Sequence, residues 1–331
     1  MLPGLSTGLR MGQDGRQSGG LPRRFGPWIL TLPTEPRSMD FLNDPLAAHP
    51  RRIVCLTEET TETLYLLGEG DRVVGVSGYT VRPPEARLKP RISAFVTARY
   101  DKILELEPDL VLAFSDLQAD VAAELIRRGV DVLTFNQRSI PEILRMVVTV
   151  ARVAGVEGKG LELAGKLRNG LQAIEASAAR FPRRPRVFFE EWNDPLISGI
   201  RWVDELIEIA GGEPAFPGLR EQKAAKDRIV TLQAVAARAP DIIIASWCGR
   251  KVKKGSIRSR AGWEAVPAVR AGHIYEIASA VILQPGPAAL TEGVRQIHAI
   301  IASVLGIGVG PELSPEWPLD RDLGRDEEKG P

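Results

Sequence analysis

The chain is poor in the residues that staple or metallate proteins. Cysteine occurs twice in 331 residues, at Cys55 and Cys248, far apart and in no Cys-x-x-Cys pair, so no disulfide framework is expected. The three histidines, His49, His273 and His298, are too scattered to suggest a metal site. Charge of neither sign is in surplus. Lys and Arg total 43 against 42 Asp and Glu, a net charge of +1, which removes any global reason to expect nucleic acid or an anionic membrane as partner. Catalytic signatures are missing too. No Gly-x-Ser-x-Gly elbow surrounds Ser198 or Ser279. The Gly155–Gly160 stretch contains Gly-Lys without the spacing of a phosphate-binding loop.

What is present is an ordinary globular composition, 44% hydrophobic and 26% charged, in a chain long enough for two lobes with their own cores. The organising stretch runs from about Glu157 to Arg180. Leu161, Leu163, Ala164, Leu167, Leu171 and Ile174 recur there at three- and four-residue steps with charged residues between, which predicts a helix with one buried face. Phe181, Pro182 and Pro185 end it.

The sequence on either side of that helix reads as two versions of one unit. Ile103–Ala113 is Ile-Leu-Glu-Leu-Glu-Pro-Asp-Leu-Val-Leu-Ala, and Val235–Ala245 is Val-Ala-Ala-Arg-Ala-Pro-Asp-Ile-Ile-Ile-Ala. Each predicts a short helix, a Pro-Asp corner and an apolar run too short for a helix, hence a parallel strand buried on both faces. Arg52–Leu56 and Arg186–Glu190 echo each other at a similar offset. The expected architecture is α/β, two Rossmann-like lobes joined by a single long helix, with the ligand site in the cleft at the carboxyl ends of the strands.

Taken in order, residues 1–48 are rich in Gly, Pro, Arg and Ser and are expected to be disordered. Arg23-Arg24 and the apolar residues after it resemble a twin-arginine export signal, but the apolar core of about six residues before Pro33 is shorter than a signal needs. Met39 is a candidate true start. No export signal is therefore expected. The first lobe is placed at 49–139, the bridging helical segment at 140–185, the second lobe at 186–306, and a disordered tail at 307–331. Strands are expected at Ile53–Leu56, Val73–Ser77, Leu110–Phe114, Val130–Phe135, Val187–Phe189, Ile242–Ala245 and His273–Ile277. Glu190–Gly199 reads as a long loop, Thr57 or Thr60 as a helix cap, and Ala289–Leu305 as an amphipathic closing helix.

Five aromatic residues fall at or just past predicted strands: Tyr79, Phe95 and Phe114 in lobe one, Trp192 and Trp247 in lobe two. Planar side chains facing each other across a cleft suit a flat or bulky ligand, and Asn193 and Gln284 complete the expected ligand-binding set. Glu58, Glu59 and Glu62 cluster where a helix begins, a place that favours acidic residues for dipole reasons alone. The basic run Arg250 to Arg260 reads either as an anion contact at the cleft mouth or as a solvated loop; it lacks the interleaved aromatics of a nucleic-acid surface.

With these motifs in hand, residues 50–306 resemble the class III substrate-binding proteins of ABC importers, and most of all the cobalamin-binding and ferric-siderophore branch. The resemblance is carried by Arg52-Ile-Val-Cys-Leu with Thr60-Thr-Glu62, Val74-Gly-Val-Ser-Gly-Tyr79 and Asp101-Lys-Ile-Leu-Glu-Leu-Glu-Pro-Asp-Leu-Val111. In lobe two it rests on Glu191-Trp-Asn-Asp-Pro-Leu-Ile-Ser-Gly199, Trp202-Val-Asp-Glu-Leu-Ile207 with Gly211-Gly212, and Ala239-Pro-Asp241. It implies the class III periplasmic-binding-protein fold and a non-enzymatic monomer holding cobalamin or a related corrinoid. Tyr79 would pack on the corrin, and Phe95 and Phe114 would take positions that are tryptophan in the cobalamin receptor. A ferric-siderophore or haem binder is the alternative within the class. A corrinoid-handling enzyme is the alternative outside it, and a cluster enzyme would need more cysteine ligands than Cys55 and Cys248. Family members dock on a permease through one glutamate per lobe. The matching positions are Asp101, which keeps the charge, and Gln233, which loses it. With no export signal expected, the resemblance then points to a cytoplasmic protein that stores, senses or hands over its ligand, with a periplasmic or cell-surface location as the alternative.

Overall fold

The computed structural model of the protein describes residues 49–314 and the pair 320–321. The expectations for residues 1–48 and for most of the tail lie outside the described residues.

Lobe one contains β1 (Ile53–Cys55), α1 (Glu58–Leu66), β2 (Val73–Ser77), β3 (Arg91–Ser93), α2 (Tyr100–Glu105), β4 (Leu110–Phe114), α3 (Ala119–Arg127) and β5 (Val132–Phe135). Its five strands are parallel in the order β3-β2-β1-β4-β5. Every residue of β1 and β4 is buried, as their unbroken apolar runs predict. Side chains alternate between two cores. Ile53, Cys55, Leu110 and Leu112 enter one, while Val54, Val111 and Ala113 enter the other with Ile92, Ile103 and Leu125.

Two helices follow, α4 (Ile140–Val153) and α5 (Glu157–Ala178). Glu142 fixes the start of α4 by accepting the backbone N–H groups of Ser139 and Arg138 at 3.0 and 2.7 Å. Leu167, Leu171 and Ile174 form the buried face of α5 as the spacing predicts, whereas Leu161 is 55% exposed. At its start α5 instead buries Gly160, where a Cβ would come within 2.3 Å of the Ala151 Cβ. The missing side chain lets α4 and α5 approach closely.

Lobe two holds β6 (Arg186–Asn193), β7 (Leu196–Ser198), α6 (Arg201–Ile209), β8 (Glu213–Pro214), α7 (Leu232–Arg238), β9 (Ile242–Ala245), α8 (Lys254–Arg258), α9 (Pro267–Arg270), β10 (Ile274–Glu276), α10 (Ser279–Ile282) and α11 (Val294–Val304). A π turn over Ala289–Gly293 leads into α11. The sheet order is β11-β10-β9-β6-β7, with β8 parallel to the start of β6 and the two-residue β11 (Asp320–Arg321) antiparallel to β10. That last strand falls in the stretch expected to lack structure. The expected loop Glu190–Gly199 is mostly a hairpin: β6 runs on to Asn193, turns at Asp194-Pro195 and pairs antiparallel with β7. The Leu196-Ile-Ser run supplies the partner strand.

The two Pro-Asp corners share one physical role. Asp109 accepts the N–H groups of Arg51 and Arg52 at 2.7 and 2.9 Å, and Asp241 accepts that of Arg186 at 2.7 Å. In each lobe a carboxylate thereby locks the neighbouring strand into register.

One core runs through both lobes. It includes Leu64 and Ile143 from lobe one and α4, Leu167 and Ile174 from α5, and Val203, Ile207, Ile297 and Ile301 from lobe two. Bonds across the seam add to it: Ala288 N–H donates to Glu62 at 3.0 Å, Gln137 to the Pro285 carbonyl at 3.1 Å, and Ile140 N–H to Glu205 at 2.7 Å. An apolar, hydrogen-bonded seam of this kind favours small adjustments of the lobes over wide closure.

Candidate functional site

The carboxyl ends of both sheets open into one cavity of about 670 Å³, within the roughly 300–1,000 Å³ usual for small-molecule sites. Lobe one contributes Glu58 after β1, Tyr79 after β2, Phe95 after β3, Phe114 at the end of β4 and Arg138 after β5. Glu191 and Trp192 of β6, Ile197 of β7, Cys248 after β9 and Gln284 after α10 come from lobe two.

Of the residues expected from the sequence, Tyr79, Phe95, Phe114, Trp192 and Gln284 lie on this wall together; Asn193 and Trp247 do not. Trp247 is 4% exposed in the second core of lobe two, with its indole N–H donating to Glu190 at 3.1 Å. It continues the face of β9 that carries Ile243 and Ala245 inward, so strand alternation sends it to the core. Asn193 is the last residue of β6, paired with Leu196 across the hairpin, and the turn carries it away from the cavity.

The aromatic walls carry cations. The Arg138 guanidinium lies 4.9 Å from the Phe114 ring centre, and that of Arg250 lies 5.1 Å from Trp192. Trp192 is further held by its indole N–H, which donates to the Asp194 carbonyl at 2.9 Å. Arg228 is 1% exposed and grips Glu191 with both terminal nitrogens, at 2.5 and 3.1 Å. The Nε atoms of Arg138 and Arg228 are buried without a hydrogen-bond partner, and burial lowers the Arg138 pKa. Neither arginine follows from the sequence, since no local pattern marks either one for the cavity.

The basic run matches neither of its two readings. Lys254–Arg258 is helical, Val252 and Ile257 are buried, and Arg260 forms a paired contact with Glu190 at 2.5 and 2.8 Å. None of residues 250–260 lines the cavity. The run is a docked structural segment whose arginines serve internal partners.

The acidic helix start is more than a dipole effect. Burial raises the Glu58 pKa to about 7 and that of Glu59 to about 8. Neither Thr57 nor Thr60 caps the helix through its side chain. Thr57 donates its hydroxyl to Glu59 at 2.7 Å instead, and Thr60 turns back to the Thr57 carbonyl at 3.4 Å. Cys248 is a free thiol whose pKa is raised by desolvation and by the nearby Glu58 and Glu191. Asp101 is 92% exposed on α2 beside Arg128 at 3.0 Å, and Gln233 is exposed on α7.

Two α/β lobes sharing a core through one long helix, with a ligand-sized cavity between their strand ends, define a solute-binding protein of the class III type. The periplasmic binding protein family model matches residues 53–281, and the chain belongs to that family. It is similar to an uncharacterised ABC transporter substrate-binding lipoprotein of Bacillus subtilis (strain 168), 27% identical over 75% of this chain and 79% of the relative. It is also similar to the vitamin B12-binding protein of Vibrio parahaemolyticus, 26% identical over 82% of this chain and 93% of the relative. Among solved structures, the apo periplasmic haem-binding protein of Roseiflexus sp. RS-1 matches with a TM-score of 0.65 at 24% identity, over 76% of this chain and 99% of that one; this likeness shows the fold alone.

These relatives are binding proteins, which makes binding the family-level role. They also correct the cytoplasmic placement. A periplasmic family and a lipoprotein relative point to an extracytoplasmic location. The earlier expectation rested on one short apolar stretch within residues 1–48, outside the described residues. Among the described residues no helix is long and apolar enough to cross a membrane.

Proposed function

We propose that this protein binds cobalamin or a related corrinoid in the cavity between its lobes, without turnover, as the solute-binding component of an ABC importer. The observation that carries the reading is the placement of Tyr79, Phe95, Phe114 and Trp192 around one cavity, from both lobes. Flat faces from two sides can sandwich a macrocycle at small entropic cost, because aromatic side chains have few rotors. The vitamin B12-binding relative supports the same choice.

A second reading, a haem or ferric siderophore, is favoured by Arg87, Arg91, Arg138 and Lys223 on the wall. Cations there suit carboxylates at a ligand's edge, although Arg138 already pairs with Asp116 at 3.3 Å. Calorimetric titration of the full chain with cyanocobalamin, cobinamide and hemin separates the two. Saturable one-to-one binding of the corrinoids at micromolar affinity or tighter supports the first reading. Binding of hemin alone replaces it with the second.

Delivery to a permease would use the exposed faces carrying Asp101 in lobe one and Gln233 in lobe two. Gln233→Glu should then strengthen association with permease-containing vesicles, and equal association of the variant and the natural chain removes Gln233 from that face.

A further inference from the structure

Five basic residues line the cavity against three acidic ones, and their partners set them apart. Arg228 is closed inside the protein by its paired contact with Glu191. The side chains of Arg87, Arg91 and Lys223 stand exposed on the wall and form no ion pair with any described residue. Arg138 lies between these extremes. Its side chain is 13% exposed, and its ion pair is with Asp116 at 3.3 Å, a carboxylate that is itself 79% exposed. Water screens a pair that is open on one side, so much of the Arg138 charge stays uncompensated.

The Arg138 guanidinium is also fixed in place. Its carbon lies 4.9 Å from the Phe114 ring centre, and only 4% of Phe114 is exposed. At this part of the wall a ligand meets the guanidinium laid over the ring. The backbone behind it is pinned on both sides. The Arg138 N–H donates to Glu142 at 2.7 Å, and the Gln137 amide reaches the Pro285 carbonyl of lobe two at 3.1 Å. The three guanidinium nitrogens differ in what they can reach. Nη2 donates to Asp116, and Nε is buried and closed to the cavity. Nη1 has no hydrogen bond among the described residues and is not buried, which leaves it open to a bound molecule.

The chemical class of the group that Nη1 meets follows from this setting. Burial strips water from the guanidinium and lowers its pKa, so a second anion beside it replaces hydration that the cavity removes. A neutral carbonyl would accept the hydrogen bond without balancing the charge. The unpaired Arg87, Arg91 and Lys223 on the same wall make the field that a ligand enters positive. An oxyanion on the ligand's edge, phosphate or carboxylate, satisfies both the open N–H and the field.

Resting on the corrinoid reading above, we propose that Arg138 binds an oxyanion on the ligand's edge, donating from Nη1, while Arg87, Arg91 and Lys223 supply the positive field around it. In a corrinoid that oxyanion is the phosphodiester of the nucleotide loop. Arg138 then selects corrinoids that carry the loop over those that lack it. The carboxylates of a haem would offer the same chemistry from another source.

The test is calorimetric titration of the full chain and its Arg138→Gln variant with cyanocobalamin, cobinamide and hemin. Circular dichroism checks that the variant is folded. The natural chain should hold cyanocobalamin, which carries the phosphodiester, about tenfold or more tighter than cobinamide, which lacks it. In the variant that preference should shrink by about fivefold or more, and added salt should erode it in the natural chain. Equal weakening of both corrinoids gives Arg138 a merely structural role; it overturns the subsite and leaves the corrinoid reading intact. A natural chain without the preference, or a variant that keeps it whole, does the same. If hemin alone binds, the corrinoid reading and the phosphodiester fall together. A loss of hemin affinity of about tenfold in the variant then keeps the oxyanion subsite with carboxylate as its source, and no loss removes it. Binding of none of the three removes the pocket reading and the subsite with it.

Discussion

Glu59 offers a direct test of how the lobes are held together. Its side chain is 1% exposed on α1, and it abuts lobe two so closely that a Cβ on Gly286 would come within 2.4 Å of the Glu59 Cβ. One oxygen accepts the Thr57 hydroxyl, and Oε2 is buried without a partner. Burial raises its pKa from 4.5 to about 8. Between those values the folded protein keeps a proton that the unfolded chain has released, so stability falls as pH rises. The neutral carboxyl's advantage is fully present below about pH 4.5 and is lost on passing pH 8. Across that window the folded state gives up roughly 3–5 kcal/mol from this group. Glu59→Gln keeps the shape and can still accept from Thr57, but it has no charge to bury. Urea denaturation of both proteins at pH 5, 7 and 9 should show similar stability at pH 5 and an advantage for the variant of roughly 3 kcal/mol or more at pH 9. Asp204, with its pKa raised to about 7 by burial, titrates in both proteins and cancels in the difference, whereas the neighbouring Glu58, whose charge adds to the rise at Glu59, contributes to it. Parallel pH profiles for the two proteins would refute the account of a neutral buried carboxyl at this seam.

The remaining predictions concern the ligand and the docked basic segment. Trp192→Ala and Phe114→Ala should each weaken corrinoid binding at least tenfold, about 1.4 kcal/mol, with an unchanged fold by circular dichroism; full affinity in both variants would move the site elsewhere. Arg260→Ala removes the paired contact with Glu190, whose side chain is 0% exposed, and leaves that carboxylate with the Trp247 indole. The cost should be roughly 3–5 kcal/mol in urea denaturation, and a loss below about 1 kcal/mol would show that the pair is dispensable.

Much of the fold could be read from short-range pattern. β1, β2, β4 and β9 lie where apolar runs are too short for helices, and α5 ends just before the Phe181, Pro182 and Pro185 breakers. Phe181 then stacks on His298 at 5.0 Å, a pairing across the lobe that no local pattern announces. The hairpin of β6 and β7 was missed because Glu190–Gly199 is polar and holds a proline. Its second strand is only three residues long, and pairing with β6 is what makes it a strand. The helix through Gly160 was expected, but its close approach to α4 was missed because the pattern along α5 does not show that the Ala151 side chain packs where a Gly160 Cβ would be.

The site divided along the same line. Position just past a strand sufficed for Tyr79, Phe95 and Phe114, because strand ends in both lobes open toward the cleft. The same rule failed for Trp247, where alternation along β9 outweighed position and turned the indole into the core. Arg138, Arg228, Glu58 and Cys248 could not be assembled from sequence, since each comes from a different connection and only their shared cavity makes them neighbours.

By itself, the sequence determined the two-lobed α/β class, the bridging helix and the Pro-Asp corners, because hydrophobic period and proline geometry act over a few residues. Only the tertiary structure decided which aromatics line the cavity, where the basic run docks and which carboxyls lose their water. Those outcomes depend on contacts between residues far apart in the chain, 70 positions for Arg260 and Glu190 and more than two hundred for Glu59 and Gly286, and a linear pattern does not encode which of them meet.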